Sequence, residues 1–321
     1  MQSATAPPVT ASMVREAAQR IRPLARRTPV VTSDAADKQT RIRLFFKCEN
    51  LQRGGAFKIR GASNLILSLP PGVAARGVVA FSSGNHAQAT AIAAKHVDAR
   101  ATIVMPEDAP RSKMQPTRDL GAEIVTYDRI REDREAIAAR ILTRTGASLV
   151  PPFDHPLIIA GQGTATLELL DDVPDIDALL VCIGGGGLIA GSATIAKSIR
   201  PEIRIFGVEP ELANDTWQSF AAGERITIPP PETIADGLRS PVPGKLTFPI
   251  IRSHVESILL VSESEIRAAM RFLLEHAKLV VEPSGAVAFA AALFGKLPPG
   301  IRSAGVILSG GNVDFEMLTS L

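Results

Sequence analysis

The sequence predicts an α/β fold with two open, twisted, mostly parallel sheets flanked by helices. Three observations point to it. Short apolar strands alternate with amphipathic helices along almost the whole chain. Strands such as Val78-Val79-Ala80-Phe81 and Leu179-Leu180-Val181-Cys182-Ile183 are apolar on both faces, which suits a parallel sheet covered by helices on two sides. Five polar or glycine-rich loops fall where such a sheet gathers a ligand, at the carboxyl ends of strands or between domains.

In chain order, residues 1–10 are rich in Ser, Ala and Pro and read as a loose tail. The apolar run 44–48 is the first strand, and a helical stretch over 56–69 follows the Gly54-Gly55 pair. Strands at 77–81, 101–105 and 123–127 come next, with helices over 86–96 and 132–145. A helix over 164–170 leads to a strand at 179–183, a helix over 188–198 and a strand at 205–208. The strand at 257–261 runs into a helix over 263–279, opened by the capping box Ser262-x-x-Glu265. A helix over 285–296 and a strand at 305–308 complete the series. Two breaker clusters, Leu69-Pro70-Pro71-Gly72 and Val150-Pro151-Pro152, bracket the run 72–148. They predict a smaller domain, 72–148, inserted into a larger one formed by 1–71 and 149–321, with the ligand in the cleft between them.

Composition removes several function classes. Lys and Arg number 35 against 33 Asp and Glu, so no strong basic field marks a nucleic-acid or anionic-membrane surface. Aromatic residues make up 4%, too few for base-stacking platforms. The two cysteines, Cys48 and Cys182, form no Cys-x-x-Cys and do not make a secreted disulfide scaffold. The tail lacks a basic-then-apolar leader, and the apolar stretches 178–190 and 286–294 are too short to span a bilayer. A soluble, cytoplasmic protein is the expectation.

The strongest local signal is Cys182-Ile183-Gly184-Gly185-Gly186-Gly187-Leu188, between a strand and a helix. Glycines let backbone N–H groups approach an anion, and the helix N-terminus adds its positive end. This is a phosphate cradle without the Walker lysine pattern. Gly185-x-Gly187-x-x-Ala190 also satisfies the relaxed dinucleotide fingerprint, with Glu209 where a ribose-binding acid would stand, and a tight structural turn is the bland reading. Most lysines are solvated surface charges. Lys58, between Phe57 and Ile59 and just past a glycine pair, has the setting of a desolvated amine that can bond covalently to a carbonyl. Ser82-Ser83-Gly84-Asn85-His86 reads either as an N-capping loop or as an anion site for a substrate carboxylate. Taken alone, Val281-Glu282-Pro283-Ser284-Gly285 and Leu308-Ser309-Gly310-Gly311-Asn312 are turns.

Together these loops carry a resemblance. Lys47-Cys48-Glu49-Asn50, Gly55-Ala56-Phe57-Lys58-Ile59-Arg60-Gly61, Ser82-Ser83-Gly84-Asn85-His86-Ala87-Gln88, the four glycines, Glu282-Pro283-Ser284-Gly285 and Ser309-Gly310-Gly311-Asn312 occur in one order. That order resembles the fold type II, tryptophan synthase beta-like, pyridoxal-phosphate enzymes of the serine racemase and serine/threonine dehydratase family. Ala160-Gly161-Gln162-Gly163-Thr164 and Pro231-Glu232-Thr233-Ile234-Ala235-Asp236-Gly237 resemble it too.

The resemblance implies roles by position. Lys58 holds the cofactor covalently and then acts as a base. Phe57 packs on the pyridine ring, Asn85 hydrogen-bonds the ring hydroxyl, and Ser309 faces the ring nitrogen. Gly184, Gly185, Gly186, Gly187 and Leu188 bind the phosphate, and Gly237 and Glu282 join the cofactor-binding set. Ser82, Ser83, Gly84, Asn85 and His86 grip the substrate carboxylate. A neutral serine at the ring nitrogen gives a weaker electron sink than a carboxylate, which suits expulsion of a β-hydroxyl. The implied reaction is an ammonia-lyase (dehydratase) reaction that converts L-serine or L-threonine to a 2-oxo acid and ammonia.

Ser83 extends this reading. Ser-Ser-Gly-Asn-His is similar to the racemase form of the loop, whereas biosynthetic threonine dehydratases carry Ser-Ala-Gly-Asn-His. Lys58 and Ser83 on opposite faces of the α-carbon would form a two-base pair and give some racemase activity. A serine or aspartate racemase and a 3-hydroxyaspartate dehydratase are the alternatives within the family, the last requiring an extra cation near the substrate. From another class, the alternative is an NAD-dependent Rossmann dehydrogenase using Gly185, Gly187 and Glu209. Glu209-Pro210-Glu211-Leu212-Ala213-Asn214-Asp215 resembles the family's divalent-cation loop. It implies Mg²⁺ (or Ca²⁺ or Mn²⁺) on Glu209, the Ala213 carbonyl and Asp215. The resemblance also implies a homodimer. The chain ends at Leu321, which leaves no room for the C-terminal regulatory domain of biosynthetic threonine dehydratases.

Overall fold

The computed structural model describes residues 9–82, 84–109, 111–128 and 131–321. Its strands are β1 (Val30–Val31), β2 (Arg43–Cys48), β3 (Val78–Phe81), β4 (Ala101–Pro106), β5 (Glu123–Tyr127), β6 (Ser148–Leu149), β7 (Ala178–Cys182), β8 (Arg204–Pro210), β9 (Ser257–Val261) and β10 (Ser303–Leu308). The helices of the first half are α1 (Ala11–Arg20), α2 (Asp34–Thr40), α3 (Lys58–Ile66), α4 (Pro71–Ala74), α5 (Asn85–His96), α6 (Arg111–Asp119) and α7 (Arg134–Thr145). Those of the second half are α8 (Pro156–Asp172), α9 (Gly187–Ile199), α10 (Asp215–Ala222), α11 (Thr247–His254), α12 (Glu263–Phe272), α13 (Pro283–Leu293) and α14 (Phe315–Thr319).

The strands form two sheets, as the apolar pattern predicts. The larger has the order β1-β2-β10-β7-β8-β9 and is parallel except for β1 against β2. The smaller has the order β5-β4-β3-β6 and is wholly parallel. β7 and β10, inside the larger sheet, are buried along their whole length, so they read as unbroken apolar runs. α13 packs across β7, β8, β9 and β10, and its Phe289 meets Phe46 of β2 edge-on at 5.2 Å. The smaller sheet is covered on one face by α5, on which α3 packs in turn, and on the other by α7 through Ile137 and Ile141.

The differences from the sequence pattern have physical causes. The helix expected over 164–170 is α8, which begins earlier at Pro156. Gly161 and Gly163 weaken the helical signal there. Both are needed because α8 touches its neighbours through backbone: a Cβ on Gly161 would stand 2.5 Å from the Arg60 carbonyl, and one on Gly163 2.6 Å from that of Gly191. The helix expected over 263–279 changes character after Phe272, through a π turn at Leu273–Ala277, and stops at Lys278 with φ +58. Its start does carry the capping box, with Glu265 N–H donating to Ser262 Oγ and Ser262 N–H to Glu265 Oε2. β1 and β6 are two residues long, too short for a period to show.

A buried ion network fixes α3 to β2 and α8. Arg60 is fully enclosed and donates to Glu49 and to Glu168 through paired nitrogens. Lys47, also fully enclosed, donates to Glu168 and to the Thr28 carbonyl. Two cations and two anions share one pocket, so each charge has a partner. Burial alone would raise the Glu49 carboxyl, but the charge and hydrogen bonds of Arg60 win and hold it below the usual carboxylate range.

Candidate active site

The loops leaving β2, β7 and β10 lie at the carboxyl end of the larger sheet, and the loop after β3 of the smaller sheet reaches them through Asn85. The loop after β2 pairs with the loop after β10. Phe57 N–H donates to the Ser309 carbonyl, Gly311 N–H donates to the Gly55 carbonyl, and Ala56 bridges Gly310. Gly54 and Gly55 both adopt φ +73, and a Cβ on Gly55 would overlap the Asn312 side chain. This turn sets Lys58 at the head of α3, beside Ser309.

The Lys58 amine donates to the Pro152 carbonyl at 2.9 Å and lies 5.1 Å from the Phe57 ring centroid. Burial lowers its pKa to about 8, with Cys182 and Glu282 partly offsetting the effect. Asn85, the first residue of α5, is held between two loops. Its amide nitrogen donates to Glu282 Oε1 at 2.7 Å, and its oxygen accepts from Asn312 Nδ2 at 2.8 Å. Ser82 Oγ accepts from the Gly84 N–H at 3.2 Å, which shapes the turn before α5. Ser83 lies outside the described residues.

His86 is buried and bonds the Val150 carbonyl through Nε2 at 2.8 Å, which places the ring proton on Nε2. Burial, helped by the nearby Lys58 charge, lowers its pKa to about 3, so it is neutral. Ser309 is buried at the end of β10, with its hydroxyl 3.4 Å from the Ser284 carbonyl and hydrogen-bonded to Cys182. Cys182 is itself pushed up to about 11 by burial. Gly237 N–H donates to Ser284 Oγ at 3.0 Å, close to Gly184.

Gly184, Gly185, Gly186, Gly187 and Leu188 join β7 to α9. Gly186 adopts φ +90 and caps α9. A Cβ on Gly185 would overlap the Phe153 ring, and one on Gly187 would stand 3.0 Å from that side chain. The loop therefore presents backbone rather than side chains, the geometry an anion needs. The sequence did not single out Phe153, Asp154 or Thr247, which support this loop. Pro151-Pro152 marks a breaker in the sequence, and nothing local shows that the following residues reach the glycines.

Glu209 lies near the end of β8, the strand adjoining β7, and Asp215 opens α10. Both are fully enclosed, and Glu209 accepts from the N–H groups of Thr216 and Trp217. Neither oxygen of the Asp215 carboxylate makes a well-formed hydrogen bond. Burial, then the proximity of Asp215, raises Glu209 well above the usual range, and burial raises Asp215 to about 7. Two uncompensated buried acids, one of them orphaned, fit a hard cation. Among the described residues no group of three or more His, Cys, Asp or Glu is placed to hold a metal ion, so a cation here would also need an oxygen that is not a side-chain acid.

Known proteins resemble the chain over nearly its whole length. The chain is 48% identical over 308 residues to the L-threo-3-hydroxyaspartate ammonia-lyase of Saccharomyces cerevisiae, covering 96% of this chain and 94% of that one. It is 46% identical over 303 residues to the serine racemase of Schizosaccharomyces pombe, covering 94% of each. Among solved structures, maize serine racemase superposes with a TM-score of 0.94 at 46% identity, covering 98% of this chain and 96% of that one. No helix among the described residues is long and apolar enough to cross a membrane. The pyridoxal-phosphate dependent enzyme family matches residues 21–310, and the chain belongs to that family.

Proposed function

We propose that the chain is an ammonia-lyase that converts small 3-hydroxy amino acids such as L-serine and L-threonine to 2-oxo acids and ammonia, with some racemase activity. The observation that carries this reading is the Lys58 amine, lowered to about 8 and bonded to Pro152, whose neighbour Phe153 lies against Gly185 of the four-glycine loop. Bound there, pyridoxal phosphate supplies an electron sink for the substrate α-carbon. Lys58 attaches the cofactor and, as a neutral amine, takes the α-proton. The N–H groups of Gly184, Gly185, Gly186, Gly187 and Leu188 hold its phosphate, and Phe57 packs on its ring. Asn85 has a second amide N–H beside the one given to Glu282, and this N–H serves the ring hydroxyl. Ser309, being neutral, leaves the ring nitrogen without a counter-charge. The residues Ser82, Ser83, Gly84, Asn85 and His86 grip the substrate carboxylate.

Two finer assignments belong to the same reading. Glu209, the Ala213 carbonyl and Asp215 hold Mg²⁺ (or Ca²⁺ or Mn²⁺), which relieves the two buried acids. The unit 72–148 is a small domain that closes over the substrate held by the larger one. A homodimer and a cytoplasmic location rest on the family resemblance.

One observation favours 3-hydroxyaspartate as a substrate. Arg134, at the start of α7, lies with its guanidinium 5.3 Å over the Phe81 ring, and Phe81 immediately precedes the carboxylate-gripping loop. It is a cation placed to meet a second carboxylate.

The test is an assay of 2-oxo acid and ammonia over L- and D-serine, L-threonine and both 3-hydroxyaspartate diastereomers. The holoprotein should be yellow, and Lys58→Ala should be colourless and inactive. A colourless wild-type protein that binds NAD would overturn the reading. Serine recovered from deuterated water with full lyase turnover but no D/L interconversion would remove the racemase activity.

A further inference from the structure

The four-glycine loop is aimed by groups outside it. The Gly185 carbonyl accepts from Thr247 Oγ1 at 2.7 Å and from the Gly244 N–H at 3.2 Å. A peptide unit is planar and trans, so holding this C=O on one side turns the next N–H, that of Gly186, to the other. Gly186 is the cap of α9, so the turned N–H stands at the helix head, where anions are favoured.

Thr247 is itself buried and fixed. Asp154 Oδ1 accepts from the backbone N–H of Leu246 at 2.9 Å and of Thr247 at 3.3 Å, and Oδ2 accepts from that of Lys245 at 2.8 Å. These are groups that the start of a helix leaves without intrahelical partners. Gly244 has no space for a side chain: a Cβ there would overlap Asp154 and stand 2.6 Å from Thr247 Oγ1. Asp154 also follows directly on Pro152, which bonds Lys58, and Phe153, which lies against Gly185.

We propose that Thr247, fixed by Asp154, is a positioning residue for anion capture: it holds the Gly185 peptide so that the loop presents its N–H groups before a phosphate arrives. The inference rests on the assignment of the cofactor phosphate to the four-glycine loop. Its hydroxyl proton is committed to Gly185, so Thr247 acts through the loop and not on the ligand. Donors held in place in advance lose no freedom on binding, which strengthens capture.

The experiment uses apoprotein and two aldehydes, pyridoxal 5′-phosphate and pyridoxal. They share the ring and the aldehyde that Lys58 binds, and differ in the phosphate. Dissociation constants are read by absorbance titration. Thr247→Val keeps the shape and loses the donor. It should weaken pyridoxal 5′-phosphate by roughly five- to tenfold, the worth of one hydrogen bond, and leave pyridoxal unchanged. Thr247→Ser should restore wild-type binding of both. Asp154→Asn should weaken the phosphate ester with the same selectivity, and it decides the matter if Thr247→Val does not fold. Equal weakening of both ligands, or of neither, overturns the inference. Wild-type protein that binds the two aldehydes equally overturns the phosphate assignment itself, and the inference with it.

Discussion

The Lys58 amine donates to the Pro152 carbonyl at 2.9 Å, although Lys58 opens the helix after β2 and Pro152 lies on the return segment from the smaller sheet. Burial makes this amine an acid of pKa about 8. In apoprotein, labelling of Lys58 by an amine-selective reagent, followed by mass spectrometry, should rise with a midpoint near pH 8. A midpoint at the ordinary lysine value would show that the amine is solvated.

Arg60 has a different task from Lys58, two residues away. It answers the buried acid Glu49 and the half-buried acid Glu168. Arg60→Met would leave Glu49 without its paired cation, and a cost of about 3–5 kcal/mol is expected in urea unfolding. The same network makes Glu49 acid-sensitive. Its folded pKa is depressed, so its stabilising contribution is present above the ordinary glutamate value and is lost as pH falls below that value. A variant within about 0.5 kcal/mol of wild type would contradict the network.

His86 makes a second acid-sensitive contribution at higher pH. Its folded pKa of about 3 lies below the ordinary 6.5, so the unfolded chain takes up a proton that the folded chain refuses. Stability from this site is full above pH 6.5 and declines as pH falls toward 3. In His86→Gln, whose amide can still reach the Val150 carbonyl, the decline between pH 6.5 and 4.5 should be shallower. Identical slopes in the two proteins would rule the histidine out as a source.

Glu209 and Asp215 predict a response to divalent cations. Adding Mg²⁺ to chelator-treated protein should raise Tm, because a ligand held only by the folded state stabilises it by about 2.7 kcal/mol at a hundred times its Kd. Asp215→Ala should abolish the response. An unchanged Tm in wild type would leave the two acids without a cation.

Much of the fold was legible in the sequence because it is written in local pattern. β7 and β10 are apolar along their length, and the box at Ser262 and Glu265 forms as spaced. α8 was half hidden, since glycines that lower helix propensity are required there for close contact with Arg60 and Gly191 backbone. Lys58, Asn85, Glu282 and Ser309 could be chosen as a set only through the order of their motifs. Their contacts, Asn85 to Glu282 across 197 positions among them, have no local trace.

The sequence by itself determined the alternation of strands and helices, the glycine cradle between β7 and α9, and the lysine just past a glycine turn. Each depends on neighbours within a few residues, where periodicity and backbone freedom act. Tertiary structure alone decided that Lys58 faces Pro152, that Phe153 covers Gly185, and that Thr247 reaches the Gly185 carbonyl from 62 positions away while Asp154 anchors it from 93. Those choices follow from the packing of two sheets and their helices, which brings distant segments within hydrogen-bond distance regardless of their separation along the chain.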